Sequence, residues 1–234
     1  MESIVQSETL VIIPAYNEEE SLETTLSELQ SVAPDFDYVI VNDGSRDRTG
    51  EICAEHCYNY IDLPVNLGLT GAFQTGMKYA FQNGYQYALQ FDADGQHDPA
   101  CISDLDHQIR NSKADIVIGS RFVTDKKPHS LRMLGSNLIS TIISITTGKH
   151  INDPTSGMRI YNRRMIEMFA HRADLSPEPD TLAFLIKKKQ AVVNECQVKM
   201  RERLAGESYL TLSKSIGYMV NSVFTILFAQ WFRK

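Results

Sequence analysis

The chain lacks an excess of positive charge. Its 23 lysines and arginines are outnumbered by 29 aspartates and glutamates, for a formal net charge of −6. Broad nucleic-acid binding needs a basic surface that displaces counterions, so that class of function is set aside. An anionic small ligand would need a local cluster of Arg or Lys. Also missing is any uninterrupted apolar run of about 20 residues, the length that spans a bilayer as a helix. No G-x-G-x-x-G follows the first apolar run, and no G-x-x-x-x-G-K-[ST] occurs; a dehydrogenase and a P-loop NTPase therefore fit poorly. Cysteine is scarce. The four present (Cys53, Cys57, Cys101, Cys196), with no leader-like segment, point to a reducing, cytosolic setting. Cys53, His56 and Cys57 share one predicted helix, but a zinc site needs about four ligands and no second pair matches, so buried thiols are the better reading.

What is present is an alternation. Thr9–Pro14 is an apolar, β-rich run, read as a buried first strand. Leu22, Leu26 and Leu29 then fall at helical spacing to about Val32, with Glu18, Glu19 and Glu20 crowding the first turn, where the helix dipole favours acids. Asp37–Asn42 reads as a second strand ending on Asp43-Gly44-Ser45. A helix over Asp47–Cys57 and a short strand over Tyr60–Leu63 follow. Asn66–Ala72 reads as a glycine-bearing turn before a helix over Phe73–Gln82. Strands over 87–92 and Asp115–Gly119 flank a helix from Pro99 to about Asn111. Strands alternating with helices predict an α/β fold with a doubly wound, largely parallel sheet.

Polar residues collect where those strands end. Asn17, Asp43, Asp92 with Asp94, and Arg121 would share the carboxyl edge, where open α/β sheets bind ligands. The most telling stretch is Phe91-Asp92-Ala93-Asp94-Gly95-Gln96-His97, an apolar strand stopping on two carboxylates one residue apart. Hard oxygen ligands there suit Mg²⁺ or Mn²⁺ bridging to substrate phosphates. A glycosidase carboxylate pair is rejected, because the one-residue spacing at a strand end serves a metal better.

The second half is more helical. Leu131, Leu134, Leu138, Ile142 and Ile145 make an apolar stripe over His129–Thr147, widened by Ile139 and Ile143, with Arg132, Ser136, Asn137 and Ser140 expected on the exposed face. Asp153–Gly157 is a tight turn, Arg159–Asn162 a short strand followed by a helix, and Pro177-Glu178-Pro179-Asp180 opens another helix to about Lys189. Gln190–Arg203 reads as a late strand with a basic end. Finally Ile216, Met219, Val220, Val223, Phe224, Leu227, Phe228 and Trp231 share one helical face, opposite Ser215, Asn221, Ser222, Thr225 and Gln230. Trp231, Arg233 and Lys234 close the segment in the manner of an interfacial anchor. The expected organisation is a domain over 1–212 and an amphipathic helix over 213–234 that meets a membrane surface or a membrane-protein partner, the alternative being a helix docked on the core.

Several short pieces stand in a telling order. They are Ile13–Glu18, Val41–Ser45, Asn66-Leu67-Gly68, Phe91–His97, Gly119–Phe122, Asp153–Gly157, and Met200–Arg203 with Gly206 and Ser208. The set resembles family 2 glycosyltransferases of the GT-A fold, most closely the polyprenyl-phosphate (dolichol-phosphate mannose synthase-like) branch. Thr70 stands where that family usually has glycine. The resemblance implies a Rossmann-like, mostly parallel sheet flanked by helices and an inverting transfer from a UDP- or GDP-sugar. Pro14, Tyr16, Glu18 and Asp43, with Asn66 and Gly68, would bind the nucleotide sugar. Asp92, Asp94 and Gln96 would hold the metal. Arg121, Arg132 and Ser136 would meet the acceptor phosphate, and Arg203 phosphate at the reacting centre. A polyprenyl phosphate acceptor implies a peripheral enzyme at the cytoplasmic face of the cell membrane. A sugar hydroxyl as acceptor stays open, with Glu178 or Asp180 as its base, as does a non-catalytic nucleotide-sugar-binding subunit.

Overall fold

Leu10, Val11, Ile12 and Ile13 are fully buried, as a strand covered on both faces must be. They belong to β1 (Thr9–Ala15), an interior strand of a seven-stranded sheet in the computed structural model of the chain. The structure describes residues 7–125, 127, 131–201, 217 and 222–227, and for Leu131 and Arg132 the backbone alone. In chain order come α1 (Leu22–Val32), β2 (Asp37–Asn42), α2 (Thr49–Glu55), β3 (Tyr60–Asp62), α3 (Gly68–Gln82), β4 (Tyr87–Gln90), α4 (Cys101–Arg110) and β5 (Ile116–Ser120). They are followed by α5 (Leu131–Thr147), β6 (Arg159–Asn162), α6 (Arg163–His171), α7 (Pro179–Lys189) and β7 (Val193–Gln197).

The sheet order is β3-β2-β1-β4-β6-β5-β7. Every pairing is parallel except those of β6, which runs antiparallel to both β4 and β5. One face is covered by α3, α5, α6 and α7 through residues such as Phe73, Ile139, Phe169 and Phe184. The other is covered by α1, α2 and α4 through Leu22, Leu26, Ile52 and Leu105. The doubly wound, mostly parallel architecture is thus as expected.

Several boundaries differ. Helix α3 starts at Gly68 rather than Phe73, because side chains satisfy backbone donors at its start: Asp43 Oδ1 accepts from Leu67 N–H at 2.7 Å and Asn66 Oδ1 from Gly68 N–H at 3.2 Å. β4 stops at Gln90, where its pairing with Arg159 of β6 ends. β7 is confined to Val193–Gln197, the span over which it pairs with β5.

The orientation of α5 is the larger correction. Ser136 and Ser140, expected outside, are buried, while Leu134, Leu138 and Ile145 are 64%, 50% and 78% exposed. The serines turn inward because each hydroxyl has a partner: Ser140 Oγ donates to the Ile151 carbonyl, and Ser136 Oγ accepts from Lys127 Nζ at 3.3 Å. Met133, Ile139 and Ile143 supply the apolar part of the inner face. Residues 222–227 are helical and behave alike: Ser222 and Ile226 are buried, whereas Phe224 and Leu227 are exposed. Ile216, Met219, Val220, Phe228 and Trp231, with the remainder of the expected terminal helix, lie outside the described residues.

Candidate active site

In the sheet order, β1 is followed on one side by β2 and on the other by β4. Successive connections leave this point in opposite directions, which opens a crevice beyond the strand ends. A cleft of about 650 Å³ lies there. Pro14, Tyr16 and Glu18 line it after β1, Asp43 after β2, and Asn66 and Gly68 at the start of α3. Gln90, Asp92 and Asp94 line it from β4 and the loop that follows. Ser136 of α5, the 155–157 turn, Arg159 and Glu178 complete the far side.

The carboxylate loop is tightly held. Asp92 N–H donates to His97 Nδ1 at 2.9 Å. That nitrogen is therefore an acceptor, and the ring proton sits on Nε2. Nε2 lies 3.4 Å from Asp92 Oδ2, so one buried imidazole braces both the backbone and the carboxylate of Asp92. A Cβ on Gly157 would come within 3.0 Å of that same Oδ2; glycine here leaves the carboxylate its place. Asp94 Oδ1 accepts from Gln96 N–H at 3.0 Å, and the Ala93 carbonyl accepts from Thr25 Oγ1 of α1 at 3.1 Å. Arg201 N–H donates to the Gln96 carbonyl at 2.9 Å, while its guanidinium pairs with Glu28 and Asp98. Among the described residues, no three His, Cys, Asp or Glu side chains converge. Two carboxylates at a cleft wall fit a hard cation that completes its shell with substrate phosphate and water, as Mg²⁺ or Mn²⁺ does.

The cations are arranged differently from expectation. Arg121 is bound bidentately by Asp153, at 2.7 Å from Nε and 2.9 Å from Nη2, and its N–H also donates to Asp153 Oδ2. Asp153 is fully buried. Glu195 accepts from Asn152 N–H and Asp153 N–H, holding the turn from behind. Arg121 does not line the cleft, and its charge is already matched. Two other cations among the described residues stand near the cleft: Arg159 lines it, bonded to the Ser156 and Pro154 carbonyls, and Lys127 approaches its wall through Ser136, with Nζ 5.4 Å from the centre of the Phe122 ring. Burial lowers the Lys127 pKa, and the neighbouring Asp153 and Glu195 carboxylates oppose that shift.

At the opposite end, Asp43 is buried and accepts from Leu67 N–H. Gly44 beside it has φ +62°, and a Cβ there would meet the Val65 carbonyl carbon at 2.6 Å. The Asp43-Gly44 corner thus allows the 65–68 segment to close over it.

Comparison with known proteins places this geometry. The glycosyl transferase family 2 model matches residues 10–169, more than half of the chain, from the second residue of β1 to beyond β6. The chain belongs to family 2 of the glycosyltransferases. It is similar to the undecaprenyl-phosphate mannosyltransferase of Micrococcus luteus, at 31% identity over 86% of this chain and 87% of that protein. It is also similar to the UDP-N-acetylglucosamine–dolichyl-phosphate N-acetylglucosaminyltransferase of Methanococcus voltae, at 29% identity over 81% of this chain and 84% of that one. Among solved structures, the mannosyltransferase PcManGT of Pyrobaculum calidifontis, in complex with GDP-Man and Mn²⁺, superposes with a TM-score of 0.68 at 15% identity. That match covers 99% of this chain and 66% of that one, and it establishes the GT-A fold.

In this glycosyltransferase, Pro14, Tyr16, Glu18, Asp43, Asn66, Gly68, Asp92, Asp94, Ser136 and Glu178 converge on one cleft. Gln96 and Asp180 do not line it; Gln96 contributes backbone bonds to the carboxylate loop, and Asp180 is buried in the first turn of α7. The Arg132 side chain and Arg203 lie outside the described residues. Sequence reasoning missed Lys127, Gln90 and Arg159, and gave His97 and the 155–157 turn no role beyond their motifs. Gln90 was readable in principle, since a glutamine two residues before Asp92 interrupts an otherwise apolar strand.

Proposed function

We propose that this glycosyltransferase moves a hexosyl group from a nucleotide sugar to a polyprenyl phosphate at the cytosolic face of a membrane, with inversion. The donors considered are UDP-glucose, UDP-N-acetylglucosamine and GDP-mannose. The observation that carries the reading is the pairing of two unlike walls in one cleft. Asp92 and Asp94 stand on one side; Ser136, backed by Lys127, stands on the other, on a helix whose outer face is apolar. The carboxylates suit a donor diphosphate, and the hydroxyl–ammonium pair suits an acceptor phosphate. The similar proteins named for undecaprenyl- and dolichyl-phosphate transfer support the same acceptor.

Asp92 and Asp94 would hold Mg²⁺ or Mn²⁺, Gln96 being the third candidate from its loop. Held there, such a cation would supply neutralisation of the charge on the departing diphosphate. An oxygen of the acceptor phosphate attacks the anomeric carbon as the bond from that carbon to the diphosphate oxygen breaks. The electron pair leaves with the nucleoside diphosphate. A phosphate oxygen is already ionised near neutral pH, so no general base is needed. Lys127 and Ser136 orient that phosphate, with Arg132 and Arg203 as further candidates. Arg121 acts through Asp153, fixing the turn that carries Thr155 and Gly157.

Glu178 favours a second reading. It lines the cleft and would serve as base if the acceptor were a sugar hydroxyl; Asp180 is off the cleft wall. No helix among the described residues is long and apolar enough to cross a membrane. The outward residues of α5, with Phe224 and Leu227, support a peripheral attachment instead. Incubation with labelled UDP- and GDP-sugars, Mn²⁺ and either polyprenyl phosphate or an oligosaccharide separates the readings. A lipid-linked product is expected. Product on the oligosaccharide alone would favour the Glu178 reading, and donor binding without any product a non-catalytic subunit.

A further inference from the structure

Gln90 is the last residue of β4. It is 2% exposed and lines the cleft, yet its Oε1 has no hydrogen-bond partner among the described residues. Buried side-chain oxygens in folded proteins are nearly always paired, so an orphan calls for a reason. Its strand neighbours do not supply the missing bond. Ile12 on one side is apolar. Arg159 on the other spends Nε on the Ser156 carbonyl at 2.8 Å and Nη2 on the Pro154 carbonyl at 2.7 Å. Ala88 and Leu89, at the same depth, are fully buried and apolar. An aliphatic side chain at position 90 would fill the space with no orphan.

We propose that Gln90 hydrogen-bonds a hydroxyl group of the transferred sugar, from the floor of the cleft. The proposal rests on the nucleotide-sugar reading above. Gln90 enters the cleft from the last position of β4, and Asp92 enters it from the loop two residues on. The sugar of the donor is bonded to the diphosphate and lies beside whatever the carboxylates hold. Thr155 and Glu178 line the same cleft and add polar groups suited to a polyol. A phosphate offers acceptors alone and would leave Oε1 unpaired; a polyprenyl chain offers nothing. A hydroxyl both donates and accepts, so it satisfies the amide whichever way the side chain is turned. Gln90 thereby becomes a specificity-determining residue whose amide gains a partner in the donor complex.

The test compares the wild-type chain with Gln90→Met, which keeps the length and removes the amide. Binding of UDP, GDP, UDP-glucose and GDP-mannose is followed by calorimetry with Mn²⁺, together with melting temperatures without ligand and turnover on monodeoxy donors. Gln90→Met is expected to bind the free nucleoside diphosphates as the wild type does. It should bind the preferred nucleotide sugar about tenfold more weakly, the size of one lost hydrogen bond. Without ligand it should melt a few degrees higher, because the orphan oxygen is gone. The wild type should discriminate against one monodeoxy donor, and the variant should not. Equal binding of every nucleotide sugar by both proteins overturns the proposal, and so does an equal loss for diphosphates and sugars with a lower melting temperature. A wild type that binds nucleoside diphosphates but gains nothing from the sugar overturns it as well. A wild type that binds no nucleotide at all defeats the donor reading itself.

Discussion

Asp94 is the residue on which the proposed chemistry is most exposed to test. It is buried, it lines the cleft, and its Oδ1 already orders the loop by accepting from Gln96 N–H. Asp94→Asn retains that acceptor and the side-chain volume while deleting the charge. Turnover should fall about 10³-fold, with the melting temperature little changed, since the loss falls on stabilising the leaving diphosphate. Steady-state kinetics with Mn²⁺ beside thermal denaturation check this; an active variant would remove the metal assignment. Asp92 and Asp94 were legible in sequence because charge at the end of an apolar strand has few structural uses. Lys127 was not, since a loop lysine looks like any solvated cation until the fold turns Ser136 towards it. Arg121 looked like a phosphate ligand because its partner, Asp153, is 32 residues away in sequence.

Between elements, the clearest clamp is Asp115, just before β5. Its carboxylate accepts from Arg164 Nε and Nη2 of α6 at 2.9 and 2.6 Å, from Asn162 Nδ2 at 2.9 Å, and from Val192 N–H ahead of β7 at 2.8 Å. Burial by itself raises the pKa of this carboxyl, but the Arg164, Val192 and Asn162 donors outweigh it and the net shift is downward. A carboxyl whose pKa is lower folded than unfolded stabilises the fold above its unfolded pKa. That contribution disappears as pH falls through the lowered folded value. Arg164→Met removes a large part of the lowering. The urea midpoint of the variant should therefore be reduced at neutral pH, and the gap to wild type should narrow on acidification below about pH 4. A gap independent of pH would mean that Arg164 acts by packing alone. At this scale the sequence was legible in type more than in orientation. The period of α5 was correctly helical, and Ile139 and Ile143 of the expected stripe do turn inward, whereas Leu134, Leu138 and Ile145 do not. Periodicity reports that a helix has two unlike faces; it assumes that the apolar one is buried in protein. The partners of Ser136 and Ser140 reverse that assumption here.

Across the whole molecule, the exposed apolar residues of α5, the cleft and the net charge of −6 fit together. A protein with this charge gains little from general attraction to anionic lipid, so the proposed attachment would rest on apolar side chains. Leu134, Leu138 and Ile145 are the exposed ones on α5, and the same helix sends Ser136 into the cleft. A membrane on the outer face would therefore meet one side of the element whose other side would, in the proposed reading, meet the acceptor phosphate. The proposed nucleotide end, at Asp43 and Asn66, is built from the end of β2 and the start of α3. This division predicts a separable defect. Replacing Leu134, Leu138 and Ile145 together with Ser removes apolar groups that contact no core, so the melting temperature and nucleotide binding should hold. Flotation with polyprenyl-phosphate-bearing vesicles should be largely lost, and transfer to long-chain acceptor in those vesicles should drop at least tenfold, with each lost Leu or Ile withdrawing about 1.5–3 kcal/mol at full burial. Transfer to a short-chain, water-soluble polyprenyl phosphate should persist at close to the wild-type rate. Equal loss on both acceptors would place the stripe in catalysis or folding, and equal flotation would shift the attachment to Phe224 and Leu227.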